Sequence, residues 1–371
     1  MATPAVPTPE VELREAHFQD YRGMIALQAE QGLPCQPLDE WQRLWAGNPC
    51  YEEIGPRWPI GWVLEASGRI VGCVSNIPLM YSFRGRKLQA AAGRGWAVDP
   101  SFRDCADLLA DRFFNQENVD LFLTVTCDKF LADTFLHSGA WRMPCGDWGM
   151  AAFAIVTYLG FAESLLRRKA FPLARLLRHP TALALALKDR VTGRGIPRTD
   201  IEVKLARDFD QRFDNFWEIL GHRSDTVLAE RSREALRWHF AAAQDRNQLW
   251  VLTAARNGNL DAYAVFQRHD DPEYGLKRVR MVDFQACDWH EQYCAALMQR
   301  AYDECRTQGI HVLEHVGCGV PQNKIFDESA GHRRKLANWS YFCLAREADL
   351  AGQLSQAAAW APSAYDLDSS L

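Results

Sequence analysis

Long apolar runs are missing from this chain of 371 residues. A helix that crosses a bilayer needs about 20 consecutive apolar residues. The longest candidate, Trp148 to Phe161, is shorter and is interrupted by Gly149 and Gly160. The stretch from Met1 to Glu10, rich in Pro, Ala and Thr, lacks the basic start and apolar core of a secretory leader. A cytoplasmic protein without a transmembrane segment is expected. A basic excess is missing too: 42 Lys and Arg stand against 47 Asp and Glu, a formal net charge of −5. Nucleic-acid binders carry a basic footprint, so no nucleic-acid partner is expected. The 11 cysteines include no C-x-x-C pair. The two nearest in sequence, Cys287 and Cys294, fit no zinc-ligand spacing, so no metal is expected and the thiols read as small reduced side chains.

What is present is the balance of an ordinary folded protein, 48% hydrophobic and 24% charged, at a length comfortable for two domains. The chain also repeats itself. Trp62-Val63-Leu64-Glu65-Ala66, a turn at Gly68 and Ile70 to Val74 read as a β-hairpin, and Trp250 to Ala254, Gly258 and Leu260 to Ala264 read as another. Gly95 to Asp99 then corresponds to Val279 to Asp283, each followed by a helical stretch, Cys105 to Asn115 or Glu291 to Gln308. An apolar strand comes next, Leu121 to Val125 or Ile310 to Glu314, and then a short helix ending at Ser138-Gly139 or Ala330-Gly331. Trp339 to Leu344 reads as a closing strand. The near-constant offset between matching elements argues for duplication.

Between the halves, Glu163 to Arg178 is a basic amphipathic stretch. Leu165, Leu166, Phe171, Leu173, Leu176 and Leu177 suit a helix packed on one face with its cations in solvent, and Pro172 is expected to kink or split it. A basic helix of this kind also suits an anionic membrane or an acidic partner. Gly193-Arg194-Gly195-Ile196-Pro197 follows it. The expected boundaries are an N-terminal domain at 1–157, a helical connection at 158–207, a C-terminal domain at 208–350 and a flexible tail at 351–371.

This element order resembles that of GNAT acyltransferases. Trp96-Ala97-Val98-Asp99-Pro100-Ser101-Phe102-Arg103 is similar to the family's strand and loop ahead of the CoA pyrophosphate, and Phe135 to Trp141 and Phe326 to Gly331 are similar to its late helix. Trp41 to Pro49 and Ser232 to Phe240 resemble the opening helix of GNAT-like proteins from bacterial polysaccharide and natural-product gene clusters. The resemblance implies an α/β (α+β, mixed-sheet) fold of two tandem GNAT-like acyl-CoA N-acyltransferase domains. It implies acetyl-CoA or a longer acyl-CoA (or an acyl carrier) as donor, and an amine of a small molecule or amino sugar as acceptor, in a cleft between the domains. It places the cofactor on Trp96, Ala97, Val98, Arg103, Asp104, Cys105, Ala106, Asp107 and Leu108. The family's loop is glycine-rich so that backbone N–H groups approach the phosphates. Here it holds no glycine and two acids, although Asp104 also suits a helix cap. The matching loop of the second half, Phe284 to His290, has neither Arg nor Gly and reads as lacking a cofactor site.

The family often places a tyrosine acid four residues before the late-helix glycine. Here those positions hold Phe135 and Asp327. Asp283, Glu314 and His315 put ionisable groups on strand-like segments, where they need partners and where functional sites concentrate. Strand alternation sends Glu314 and His315 to opposite faces. An ion pair with Arg280 competes with a catalytic role, and Glu65 on the first hairpin stands in the same position. The 13 Trp residues read first as core. Two other functions compete: a catalytically inactive GNAT-like binding or assembly protein, favoured by the acidic loop and Phe135, and an aminoacyl or long-chain acyl transferase on the same duplicated fold.

Overall fold

The computed structural model describes residues 10–126, 129–144, 146–192, 195–288, 291–320, 323–336, 339–366 and 370–371. In chain order the strands are Val11–Glu15 (β1), Gly61–Ala66 (β2), Arg69–Phe83 (β3), Arg86–Val98 (β4), Leu121–Thr126 (β5), Trp141–Arg142 (β6), Asp147–Ile155 (β7) and Val203–Ala206 (β8). Then come Leu228–Ala229 (β9), Leu249–Arg256 (β10), Asn259–Arg268 (β11), Arg278–Ala286 (β12), Val312–Cys318 (β13), His332–Lys335 (β14) and Trp339–Ala345 (β15).

Both expected hairpins form. β2 and β3 pair antiparallel from Ala66–Arg69, and β10 and β11 from Arg256–Asn259. Their two-residue turns, Ser67-Gly68 (φ 51° and 73°) and Asn257-Gly258 (φ 53° and 85°), have positive φ at both positions. That is the turn whose twist matches the flanking strands. The first sheet runs β1-β2-β3-β4-β5-β15-β6 and the second β14-β7-β13-β12-β11-β10-β8. Each contains one parallel junction at the same place in its order, β4 with β5 and β12 with β13. A parallel junction needs a crossover, supplied by the helices Ala106–Phe114 and Glu291–Thr307. The first buries Leu109, Ala110, Phe113 and Phe114, and Phe113 meets Trp62, Trp96 and Phe122 edge to face. The second buries Cys294, Leu297, Met298, Ala301 and Cys305, the helical spacing of a core face, against Phe284, Leu313 and Phe326.

The compact units do not follow the halves of the chain. One comprises residues 1–81, 87–143 and 340–356, the other 82–86, 144–339 and 357–371. The boundaries expected at 157, 207 and 350 therefore shift. β7, encoded in the first half, sits between β13 and β14, and β15, encoded near the C-terminus, sits between β5 and β6. The expected flexible tail is instead packed: Ala359, Trp360, Ala361, Ala364, Tyr365 and Asp366 are all buried. The expected connection holds two helices, Tyr158–Arg168 and Ala174–Val191. Ala170 and Leu173, both at positive φ (52° and 62°), break them apart around Pro172. Of the apolar residues expected to pack there, Leu166 is buried, but Phe171, Leu173, Leu176 and Leu177 are exposed.

Candidate functional site

β4 carries the candidate site of the first unit. Its parallel pairing with β5 runs from Ala90–Leu121 to Gly93–Thr124, while β4 itself continues to Val98. At Gly95 φ is +66°, a conformation that glycine adopts without strain. A Cβ there would lie 2.3 Å from Nε2 of Gln28, which donates to the Gly95 carbonyl at 3.0 Å. Beyond it Trp96, Ala97 and Val98 are buried. The Trp96 ring stands edge-on to Phe113 and Phe135, with centroids 5.3 and 4.8 Å away. Trp96 Nε1 and Thr124 Oγ1 are buried without a hydrogen-bond partner. An orphaned buried polar group costs about 1–3 kcal/mol.

The chain leaves β4 through Asp99, whose carboxylate accepts from the Ser101 N–H at 2.9 Å and caps the short turn Pro100–Cys105. That bond and the Arg69 guanidinium, 2.6 Å away, hold the Asp99 carboxyl below its usual range. The helix Ala106–Phe114 then starts at Cys105, which supplies no side-chain cap. The helix continues directly from the turn Pro100–Cys105, and the Ala106 N–H donates to the Arg103 carbonyl. Arg103 lies beside it, its guanidinium 5.2 Å from the Phe130 ring centroid. Asp104, Asp107 and Leu108 are exposed, Cys105 is half-buried and Ala106 is buried. Water and salt screen the two exposed carboxylates from whatever binds at the helix end. Asp104 does not cap the helix; Asp99, one turn earlier, caps the chain's exit instead. Phe135, at the family's acid position, is fully buried and touches Trp96, Phe114 and Phe342.

In the second unit β12 likewise outruns its parallel partner, pairing with β13 only to Met281–His315 and continuing to Ala286, and charge gathers beside it. Glu314 on β13 faces Arg280 on β12 in register and accepts from its Nε and Nη2 at 3.0 and 2.8 Å. Arg334 of β14 donates at 3.0 Å, and Arg278 lies at 3.4 Å. Burial pushes the Glu314 carboxyl up, but Arg280, Arg278 and Arg334 outweigh it and hold it at about 2. Arg278 bears part of that crowding: burial lowers its pKa, Glu314 raises it, Arg334 and Arg280 lower it again, and the net is a decrease.

A second cluster surrounds Arg231, which has no exposed surface. It donates to Asp283 at 3.0 Å from both Nε and Nη2, to Asp366 at 2.8 Å and to the Ala229 carbonyl at 2.7 Å. Tyr263 donates to Asp283 at 2.7 Å, and the Tyr365 ring lies 4.8 Å from the guanidinium. Burial alone would discharge Arg231, but Asp283 and then Asp366 raise its pKa well above the ordinary value.

His315 points to the other side of β13 from Glu314. Its Nε2 is 2.9 Å from Asp327 Oδ1, its Nδ1 is 3.3 Å from the Val316 carbonyl, and its ring packs edge-on to Phe326. Asp327 also accepts from the Gly319 N–H at 2.7 Å. Burial raises the Asp327 carboxyl, and His315 and Gly319 bring it below its usual range. Glu65 pairs with Arg14 at 2.8 Å on the first sheet. The structure thus brings His315 to Asp327, ties Glu314 and Asp283 to separate arginines, and ties Glu65 to Arg14. Arg231, Asp366 and Arg334 escaped the sequence reading; a lone Arg among polar neighbours, as in Glu230-Arg231-Ser232, carries no signal of burial. The second unit also has a half-open polar pocket of about 660 Å³ beside Tyr158, Asp189, Asp200 and Tyr302. Among the described residues, no group of three or more His, Cys, Asp or Glu could hold a metal ion.

Solved structures share this architecture. A GCN5-related N-acetyltransferase from Anabaena variabilis matches with a TM-score of 0.54 and 8% identity, covering 90% of this chain and 72% of that one. One from Kribbella flavida matches with a TM-score of 0.55 and 11% identity, covering 91% and 71%. The N-myristoyltransferase of Saccharomyces cerevisiae, solved with bound myristoyl-CoA, matches with a TM-score of 0.54 and 12% identity, covering 91% and 85%. No family model and no curated protein matches the chain. The chain has the GNAT fold, and at these identities the likeness speaks for the fold.

Proposed function

We propose that the protein is an N-acyltransferase that moves an acyl group from a CoA thioester to an amine, with the thioester held by the first unit. The observation that carries this reading is the open end of β4: pairing with β5 stops at Gly93 among the described residues, while the strand continues to Val98. A pantetheine arm would pair with the backbone of β4 beyond this point as a strand would. Trp96 and Thr124 supply the unpaired polar atoms beside it. Arg103, in the turn that leads into the helix Ala106–Phe114, suits the pyrophosphate. A β4 N–H directed at the thioester carbonyl would stabilise the oxyanion that forms when the amine attacks. The acceptor class, a small-molecule amine or an amino sugar, belongs to the same proposal.

Among the ionisable residues singled out in the sequence, we assign Glu314, Asp283 and Glu65 to ion pairing, since arginines take their oxygens. The His315–Asp327 pair, hydrogen-bonded at 2.9 Å in the second unit, is the remaining candidate for proton transfer. A catalytically inactive binding protein is the competing reading, favoured by Phe135, which puts an apolar ring where the family uses an acid.

Thermal unfolding with CoA, acetyl-CoA and longer acyl-CoAs tests the donor site. The myristoyl-CoA bound in the yeast neighbour justifies including long chains. A donor at about 100 times its Kd stabilises by about 2.7 kcal/mol, a rise of a few degrees. Release of free CoA thiol in the presence of an amine panel then reads transfer. Stabilisation without thiol release would support the inactive reading, and no stabilisation by any donor would end the acyl-CoA proposal.

A further inference from the structure

The helix Ala174–Val191 turns its apolar side outward. At 3.6 residues per turn, Leu176, Pro180, Leu183, Leu187 and Val191 fall on one face. Leu176, Leu183 and Val191 are 69%, 62% and 85% exposed, and Leu173 and Phe171 continue the stripe toward the preceding helix at 69% and 50%. On the opposite, inward side Ala182 is buried, and Ala174, Arg178, Leu185 and Asp189 are partly so. A helix on a water-facing surface shows the reverse arrangement, and a contiguous exposed apolar stripe marks an interaction site.

Charge decides what covers it. Between Tyr158 and Val191 the sequence holds seven Lys and Arg against Glu163 and Asp189, in a chain whose formal net charge is −5. Both acids are already engaged. Arg178 donates to Glu163 at 2.7 Å, and Tyr158 donates to Asp189 at 2.9 Å. Arg167, Arg168, Lys169, Arg175, Lys188 and Arg190 are exposed. By helical spacing, Arg175, His179 and Arg190 line one flank of the stripe and Lys188 the other. A stripe facing its copy in a second chain would oppose these cations to their like. No described helix is long and apolar enough to cross a membrane, and apolar residues between two basic flanks suit a helix lying in the plane of the interface.

We propose that this helix docks the protein on an anionic lipid surface. The leucine stripe enters the boundary of the acyl chains, and the flanking arginines and lysine meet the headgroup charges. The proposal stands independently of the acyl-transfer reading, since it involves no residue of β4 or its loop.

Co-sedimentation of the full chain with phosphatidylcholine vesicles, with and without 30 mol % phosphatidylglycerol, tests it. The expected result is binding to the anionic vesicles only, weakening as salt rises. Arg175→Gln, Lys188→Gln and Arg190→Gln combined should lower the partition coefficient about a hundredfold, and Leu183→Ser with Leu187→Ser should abolish it. All five side chains are exposed, so unfolding midpoints should match the wild type. Absence of binding to either vesicle, equal binding to both, or unchanged binding by the variants overturns the proposal. So does a dimer in sedimentation velocity that Leu183→Ser with Leu187→Ser dissolves while vesicle binding is absent.

Discussion

Glu314 is a carboxylate with no exposed surface held by three guanidinium groups. Such a cluster is weak testimony to net stability, but breaking it is costly, because the remaining charges stay buried. Glu314→Gln is expected to destabilise by about 3–5 kcal/mol at neutral pH, read as a lower urea midpoint. The pH dependence has a definite sign. The folded carboxyl titrates at about 2 against an ordinary 4.5, so its contribution is complete above the unfolded value and fades as pH falls from there toward 2. That difference corresponds to roughly 3 kcal/mol. The gap between wild type and variant should therefore narrow over that window; a gap that stays constant down to pH 2.5 would sink the assignment. Glu314 and Asp283 were legible as charges inside apolar strands, which need partners. Arg280, which pairs with Glu314, was legible as a partner too, whereas Arg231 and Arg334 were not, because they lie in polar surroundings in the sequence.

Elements whose identity rests on local rules were read correctly, and elements whose packing depends on a distant surface were not. Ser67-Gly68 and Asn257-Gly258 specify their turns by backbone preference alone, so both hairpins could be read from sequence. The helices Tyr158–Arg168 and Ala174–Val191 have the right periodicity, yet periodicity does not say which face the fold covers. What anchors the first of them is a close approach: a Cβ on Gly160 would lie 2.2 Å from Nε2 of His311. The His311 ring is fixed in turn, since its Nδ1 accepts from the Lys277 N–H at 3.2 Å. Gly160→Ala is therefore expected to destabilise by about 1–3 kcal/mol, as overpacking does. Gly352, inside the helix Ala348–Leu354, has no atom within 4 Å of an added Cβ. Gly352→Ala should stabilise by about 0.5–1 kcal/mol through helix propensity. Chemical denaturation of both variants separates the two mechanisms: equal effects would mean that helix propensity and not the His311 contact governs position 160.

At the scale of the whole molecule, the order of strands in the chain and in the sheets disagrees at two places, and both are informative. Duplication was visible in the sequence because matching elements recur at a near-constant offset. That offset carries no information about which sheet receives β7 and β15, because each is an apolar strand that would complete either one. The assignment has a consequence that two independent tandem domains would not share. Cut between Thr157 and Tyr158, the first fragment keeps β7 but lacks β15, which belongs between β5 and β6, and the second lacks β7, which belongs between β13 and β14. Each fragment would then expose the unpaired edge of a central strand, a surface prone to aggregation. Expressed separately, 1–157 and 158–371 are expected to be insoluble or to unfold without a cooperative transition. Expressed together they should co-purify and recover one, as each supplies the other's missing strand. Solubility and thermal unfolding of the three preparations decide the matter: a first fragment that unfolds cooperatively by itself would show that β15 is dispensable and that the units are separable along the chain. A shorter truncation after Gln356 isolates the packed C-terminus. It removes Asp366 and Tyr365 from the fully buried Arg231 and leaves Asp283 as its remaining carboxylate among those named here. Loss of one partner of a buried charge costs about 3–5 kcal/mol, a large fraction of the total stability of a typical domain. The truncated chain should therefore lose its cooperative transition or show it at a much lower temperature, and Arg231→Met in the same background should lower it further, since the buried Asp283 then loses its cation as well.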